Sequence, residues 1–396
     1  MTSTKTSSLI RYSLIGIAIA SLMINNSISI FRAIGYIIIV SCMLFIIMQM
    51  VGNRIIKYET NIIYLVFPII IIYGIGVGRN ISTNSIKDYV LLVFTIVLFY
   101  VVSSYSKQVI ENQNRFLKIW IPLLIVLFYI AYFFRYGINI IDGGYTGIFS
   151  TTTFSGIFMT LLVELCLLNY FIDKKRRWII YSLLFSFFVY VTKVRTAYIA
   201  IVLIFLLFWF VKLFKNRINS RRVIKTIRIL TYITIFSFII IYPILDKFGF
   251  FDKLSSFVSL HTGKSLMTGR NITWQYYIQS ILENPFFGYG LDYSKSFVDE
   301  INSVHNSYLN ILLQVGFVGF ICVFLFINRI FVETERSNNI KCHIIEGFSL
   351  INLIMCTTEV MLLQGQVILQ LIMWIIMGVG IGLARQDNLL EEFEAL

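Results

Sequence analysis

The chain has 396 residues, of which 58% are hydrophobic and only 13% are charged, about half the charged share of an ordinary soluble domain. That composition excludes a soluble enzyme and specifies an integral membrane protein. The formal net charge of +13 invites a nucleic-acid partner, but the placement of the charges along the chain argues against one.

A membrane-spanning helix needs about 20 mostly apolar residues. In chain order the stretches that qualify are approximately 9–30, 31–51, 61–78, 87–105, 119–135, 151–172, 178–192, 195–213, 228–246, 307–327, 347–363 and 367–384. The predicted fold is therefore an all-α polytopic membrane protein of about twelve transmembrane helices, a single membrane domain over 1–396. Asn25, Asn26 and two serines dilute the first stretch, and a signal anchor is its other reading, although no small-residue cleavage pattern follows. No internal repeat, low-complexity tract or soluble domain stands out. With a cytoplasmic N-terminus, 22 of the 33 Lys and Arg residues fall on the cytoplasmic side, including the run Lys174–Arg177. This is the positive-inside asymmetry, so the basic runs are topology signals or anionic-lipid contacts and not a nucleic-acid surface. The five cysteines lie in spans or in a cytoplasmic gap, which speaks against a disulfide framework. Nothing has the spacing of a metal site.

One polar interruption, 247–306, is far longer than any other gap and is predicted to lie outside the membrane. Three islands mark it: Thr268-Gly269-Arg270, then Glu283 through Gly290, then His305-Asn306 leading into Ser307-Tyr308-Leu309. Residues 270–282 have the pattern of a short amphipathic helix on the membrane surface. An arginine in its first turn opposes the helix dipole. Arg270 is therefore either part of an anion site or a side chain reaching headgroup phosphates. Pro285 ends that helix, and Gly288 and Gly290 permit a compact turn, so this island reads as structural. Upstream, Lys193 and Arg195 sit in Thr-Lys-Val-Arg-Thr between two apolar runs. They either cap a tight turn or hold an anion. His305, one of three histidines, stands at the mouth of a span. It is either a polar anchor or a base, since an ordinary imidazole accepts protons near neutrality. Glu164 and Glu359 fall inside predicted spans, where each is expected to face the bundle interior and make structural hydrogen bonds.

One base and two or three outward arginines suit a particular reaction. A diphosphate leaving group needs no proton, only its charge held while the bond breaks, and one base deprotonates the attacking hydroxyl. The residues thus fit sugar transfer from a lipid diphosphate. A glycosidase would want a pair of carboxyls, and no pair has a defensible spacing.

The ordered islands Thr268-Gly269-Arg270, Trp274, Asn284-Pro285, Gly288-Tyr289-Gly290, His305-Asn306-Ser307-Tyr308-Leu309 and Gly316-Phe317-Val318-Gly319, with Val194-Arg195-Thr196-Ala197 upstream, resemble the O-antigen ligase and polysaccharide polymerase (Wzy-type) superfamily. The likeness covers roughly 190–330. It implies a fold similar to the GT-C membrane glycosyltransferases, no metal and no cofactor. It also implies a glycan carried on undecaprenyl diphosphate, with His305 as base and Arg195 and Arg270 on the diphosphate. Asn306, Tyr308, Lys193, Trp274 and Glu283 are candidate supporting residues. Val194 stands where the family commonly has serine, and the outer loop is short for the family. The leading expectation is a repeat-unit polymerase for capsule, exopolysaccharide or O-antigen in the bacterial cytoplasmic membrane. The alternative is a ligase acting on lipid A-core or another acceptor. A flippase and a chain-length regulator are candidate protein partners. A lipid-linked oligosaccharide transporter is the rival from another class, but inverted repeats and broken helices are not apparent in the sequence.

Overall fold

The computed structural model describes residues 16–17, 19–20, 23–24, 29–53, 60–138, 144–214, 220–247, 249, 256–257, 260, 270–293 and 304–394. Within them, the helices of fourteen or more residues are α1 Ser29–Asn53, α2 Thr60–Arg79, α3 Thr83–Ser104, α4 Ser106–Phe133, α5 Thr152–Asp173, α6 Arg177–Thr192, α7 Arg195–Phe214, α8 Ser220–Lys247, α9 Arg270–Glu283, α10 Ser307–Arg336, α11 Ile340–Met355 and α12 Val367–Glu394. No strand occurs among the described residues; one isolated bridge joins Ile138 and Tyr145. In lipid every backbone amide needs an internal partner, which leaves helices as the economical solution.

Among the described residues, seven helices are long and apolar enough to cross a membrane, lying in α3, α4, α5, α7, α8, α10 and α12. Stretches within α1 and α2, and α6 itself, are shorter apolar helices. The structure thus supports a polytopic helical protein without fixing the expected count of twelve spans. Most of the 9–30 stretch and of the 247–269 part of the long interruption lie outside the described residues.

The middle of the bundle is α5, α10, α11 and α12. Thr151 caps α5 by accepting from the Phe154 amide, and the helix ends at Lys174 in the left-handed conformation. α12 approaches α3 at Gly378 and Gly382, where an added Cβ would stand 3.0 Å from the Phe99 carbonyl and 2.2 Å from the Ser103 carbonyl. Small residues four apart allow this backbone proximity inside a membrane. Gln370 reinforces the contact, donating to Thr95 Oγ1 at 2.7 Å. Glu164 is fully buried on α5 and accepts from Asn352 Nδ2 at 2.9 Å, the structural role expected of it.

Two predicted spans are interrupted. The 347–363 stretch is helical only to Met355. Thr357 and Thr358 turn their hydroxyls back onto the Ile354 and Met355 carbonyls, a local alternative to the helical ladder. Irregular chain then runs to Gln366, with Gly365 at φ +94°. The second break is in α10 at Gly316 (φ +64°, ψ −168°). A broken helix was not apparent in the sequence, and the reason it is tolerated lies elsewhere in the chain. Segment 285–290 lies against the break and supplies the missing partners. Tyr289 and Gly290 amides donate to the Leu313 and Gln314 carbonyls, both at 2.9 Å. Phe317 and Val318 amides donate to the Pro285 and Phe286 carbonyls at 2.7 and 3.1 Å. The contact is so close that a Cβ on Gly316 would fall 2.3 Å from the Phe286 carbonyl. Two islands separated in sequence are therefore one structural unit.

The packing also aligns the helix ends. Gly156 of α5 meets Val194, Glu164 meets Asn352, and Gly347 of α11 packs on Leu207 of α7. The start of α7, carrying Arg195, accordingly lies at the same end of the bundle as the irregular chain after α11.

Candidate active site

α9 begins at Arg270 and runs to Glu283, close to the surface helix predicted. Thr268 and Gly269, proposed for its N-cap, lie outside the described residues. Trp274, one turn in, is 1% exposed and donates from Nε1 to the Val304 carbonyl at 2.6 Å. Phe238 of α8 packs edge-on against it. Trp274 therefore pins the backbone immediately before His305 to the first turn of α9.

His305 itself takes φ +43°, uncommon for a residue with a side chain. Strain of this kind persists only where the surroundings hold it, and they do. Asn306 is buried and caps α10, accepting from the Tyr308 and Leu309 amides at 2.9 and 3.1 Å. The Tyr308 hydroxyl donates to the Leu353 carbonyl at 2.8 Å. Ser307 clasps the irregular chain after α11: its amide donates to the Cys356 carbonyl and its hydroxyl to the Glu359 carbonyl. The same hydroxyl accepts from the Met361 and Leu362 amides.

That clasp delivers Glu359. Glu359 was expected within a span; it sits in irregular chain, 3% exposed, with both oxygens engaged. Oε1 is 3.1 Å from Arg270 Nη2, and Oε2 is 3.1 Å from His305 Nδ1. A carboxylate can only accept, so Nδ1 carries the hydrogen in this contact and, in the neutral ring, Nε2 is the nitrogen with the lone pair. This fixes both the ring orientation and the tautomer. Arg270 was expected either at an anion or at headgroups; in the structure its first partner is a buried carboxylate, engaged through one of the guanidinium's five N–H donors. Around the site Asn306 Nδ2, Gln364 Nε2 and Gln366 Oε1 are buried without a hydrogen-bond partner in the protein, whereas such groups are normally satisfied.

The structure brings Arg270, Trp274, His305, Asn306 and Tyr308 together. Arg195 starts α7, half-buried, at the same end of the bundle. Lys193 is exposed and serves as the left-handed residue that closes α6 (φ 59°), so the tight turn is made without glycine. Glu283 lies at the far end of α9, about 20 Å from Arg270 at 1.5 Å per residue. Glu359 could have been noticed from the polar cluster Thr357-Thr358-Glu359 and Gln364-Gly365-Gln366, too polar to be the middle of a lipid-facing helix. Ser307 gave no such signal.

As chemistry, the site offers a histidine nitrogen held ready to accept a proton beside a cation able to hold an anion. No curated protein matches the chain. Residues 180–324, which include Arg195, Arg270 and His305 but not Glu359, match the family model described as O-antigen ligase. Over those residues the chain is similar to the O-antigen ligase family.

Proposed function

We propose that the protein is a repeat-unit polymerase. In this reading it transfers glycan from undecaprenyl diphosphate to a hydroxyl of a second lipid-linked repeat, at the outer face of the bacterial cytoplasmic membrane. The observation that carries the chemistry is Glu359 bridging His305 and Arg270. The acceptor hydroxyl attacks the anomeric carbon and gives its proton to His305 Nε2. The bond from that carbon to the diphosphate oxygen breaks, and the electron pair leaves with the diphosphate. Arg270 and Arg195 hold the charge that develops, a contribution worth about 3 kcal/mol per well-placed donor. Glu359 holds the imidazole in the accepting tautomer and stabilises the imidazolium that forms, as the carboxylate does in a Ser-His-Asp triad. The unpartnered Asn306 Nδ2, Gln364 Nε2 and Gln366 Oε1 are suited to sugar hydroxyls. No step needs a metal.

The glycan profile of a deletion strain tests this reading. Loss of long chains with single repeats still attached is the polymerase outcome. Accumulation of unattached long chains would reassign the protein as a ligase, and lipid-linked repeats trapped in the cytoplasm would reassign it as a transporter.

A further inference from the structure

The far end of α9 presents a second group of polar and aromatic side chains that transfer chemistry does not use. Tyr289 and Tyr293 lie face to face, ring centroids 4.2 Å apart and planes 5° from parallel. The backbone around the pair is fixed. The Tyr289 amide is fixed to Leu313 and the Leu291 amide to Gly76. Arg79 Nη1 donates to the Phe287 and Gly288 carbonyls, and Asn80 to the Leu291 carbonyl. Ser82 Oγ donates to the Asp292 carboxylate at 2.7 Å. The Tyr289 hydroxyl completes the arrangement by donating to Glu283 Oε2 at 3.0 Å. Glu283 is exposed, and it ends a helix, where a carboxylate is disfavoured by about 0.3–1 kcal/mol. A rigid pair of stacked rings beside an unfavourably placed carboxylate has the composition of a sugar site. The C–H face of a pyranose carries partial positive charge and meets the electron-rich ring face. Glu283 accepts from sugar hydroxyls, and the Tyr289 oxygen keeps a lone pair for another. The carboxylate repels phosphate, which argues against a lipid headgroup as occupant.

We propose that Tyr289, Tyr293 and Glu283 form a glycan-binding subsite that holds a pyranose residue of the oligosaccharide about 20 Å from the transfer site along α9. The proposal rests on the glycosyl-transfer reading: an oligosaccharide, and no single sugar, spans that distance, so the subsite would select for repeat units already assembled. Its function is binding and register, not bond making.

The test uses full-length protein in proteoliposomes, with initial rates measured against the concentration of lipid-linked repeat. Calorimetry with the free oligosaccharide released from the host polysaccharide runs alongside. Tyr289→Leu, Tyr293→Leu and the conservative Glu283→Gln are each expected to raise KM about tenfold, equivalent to about 1.4 kcal/mol, while kcat holds. Oligosaccharide binding should weaken in parallel. Unchanged KM and unchanged oligosaccharide binding in Glu283→Gln and in either Tyr→Leu variant would overturn the subsite and leave the rings as interfacial anchors. Absence of oligosaccharide binding to the wild type would overturn it too. A wild type that transfers no glycan, yet binds the oligosaccharide in a Tyr289-dependent way, would instead count against the polymerase reading and leave the subsite standing.

Discussion

Glu359→Gln is the most discriminating single change the structure offers. It preserves volume and shape but replaces one acceptor oxygen with an NH2 group. Both existing partners are donors, Arg270 Nη2 and His305 Nδ1, each at 3.1 Å. An amide can accept from only one of them and opposes the other with N–H against N–H. Two hydrogen bonds to a carboxylate, each worth about 1.5–3 kcal/mol, reduce to one bond to an uncharged amide oxygen. The gain available to the variant is a tautomer switch, in which Nδ1 accepts from the amide and Nε2 carries the hydrogen. A ring so arranged cannot take a proton from substrate, and the loss approaches the whole general-base contribution of about 10²–10⁴-fold in rate. Glu359→Asp, too short to reach both donors, should fall between. Chain extension by purified protein in proteoliposomes reads the rate, and membrane abundance and thermal unfolding report whether the bundle is intact. Because Arg270 and His305 are partly exposed, with side chains 24% and 37% accessible, water softens the stability cost and the fold should survive. Wild-type extension by Glu359→Gln would refute the tautomer argument.

Other outcomes follow from the same geometry. Arg270→Lys lacks the planar fork and should lose about a hundredfold in rate, with Arg195→Lys similarly impaired; full activity of Arg270→Ala would remove it from the diphosphate site. Gly316→Ala should destabilise the bundle, by about 1–3 kcal/mol from the left-handed backbone alone and further through overlap with the Phe286 carbonyl; a lowered unfolding midpoint checks it. Ser307→Ala removes the clasp on 359–362 and should lower kcat through misplacement of Glu359, detectable as partial activity with normal membrane insertion. A reporter fused at Ser256 should be active only in its extracytoplasmic form, and cytoplasmic activity there would overturn the orientation.

The sequence made the islands visible because each needs unusual residue types at a fixed place. Arg270 opens a helix, Asn306 caps one, and Pro285 with Gly288 and Gly290 forms a turn that only those residues allow. What joins the islands was not legible. The repair of α10 at Gly316 depends on backbone groups of 285–290, and backbone hydrogen bonds leave no side-chain signature. Glu359 lies 54 residues beyond His305 in a stretch whose apolar count satisfies a span window. Hydropathy averages over the threonines that turn the chain, so a carboxylate that bridges His305 and Arg270 read as one inside a helical span. Lys193, read either as capping a tight turn or as holding an anion, closes α6 in the left-handed conformation, in keeping with the first reading.

The central claim is that His305 Nε2 takes the acceptor's proton. The direct measurement is glycan extension by purified wild type and His305→Gln in proteoliposomes, with a lipid-diphosphate donor and matched amounts of folded protein. The account predicts that His305→Gln loses at least about a hundredfold in rate while still binding the donor. Extension by His305→Gln at the wild-type rate would contradict it.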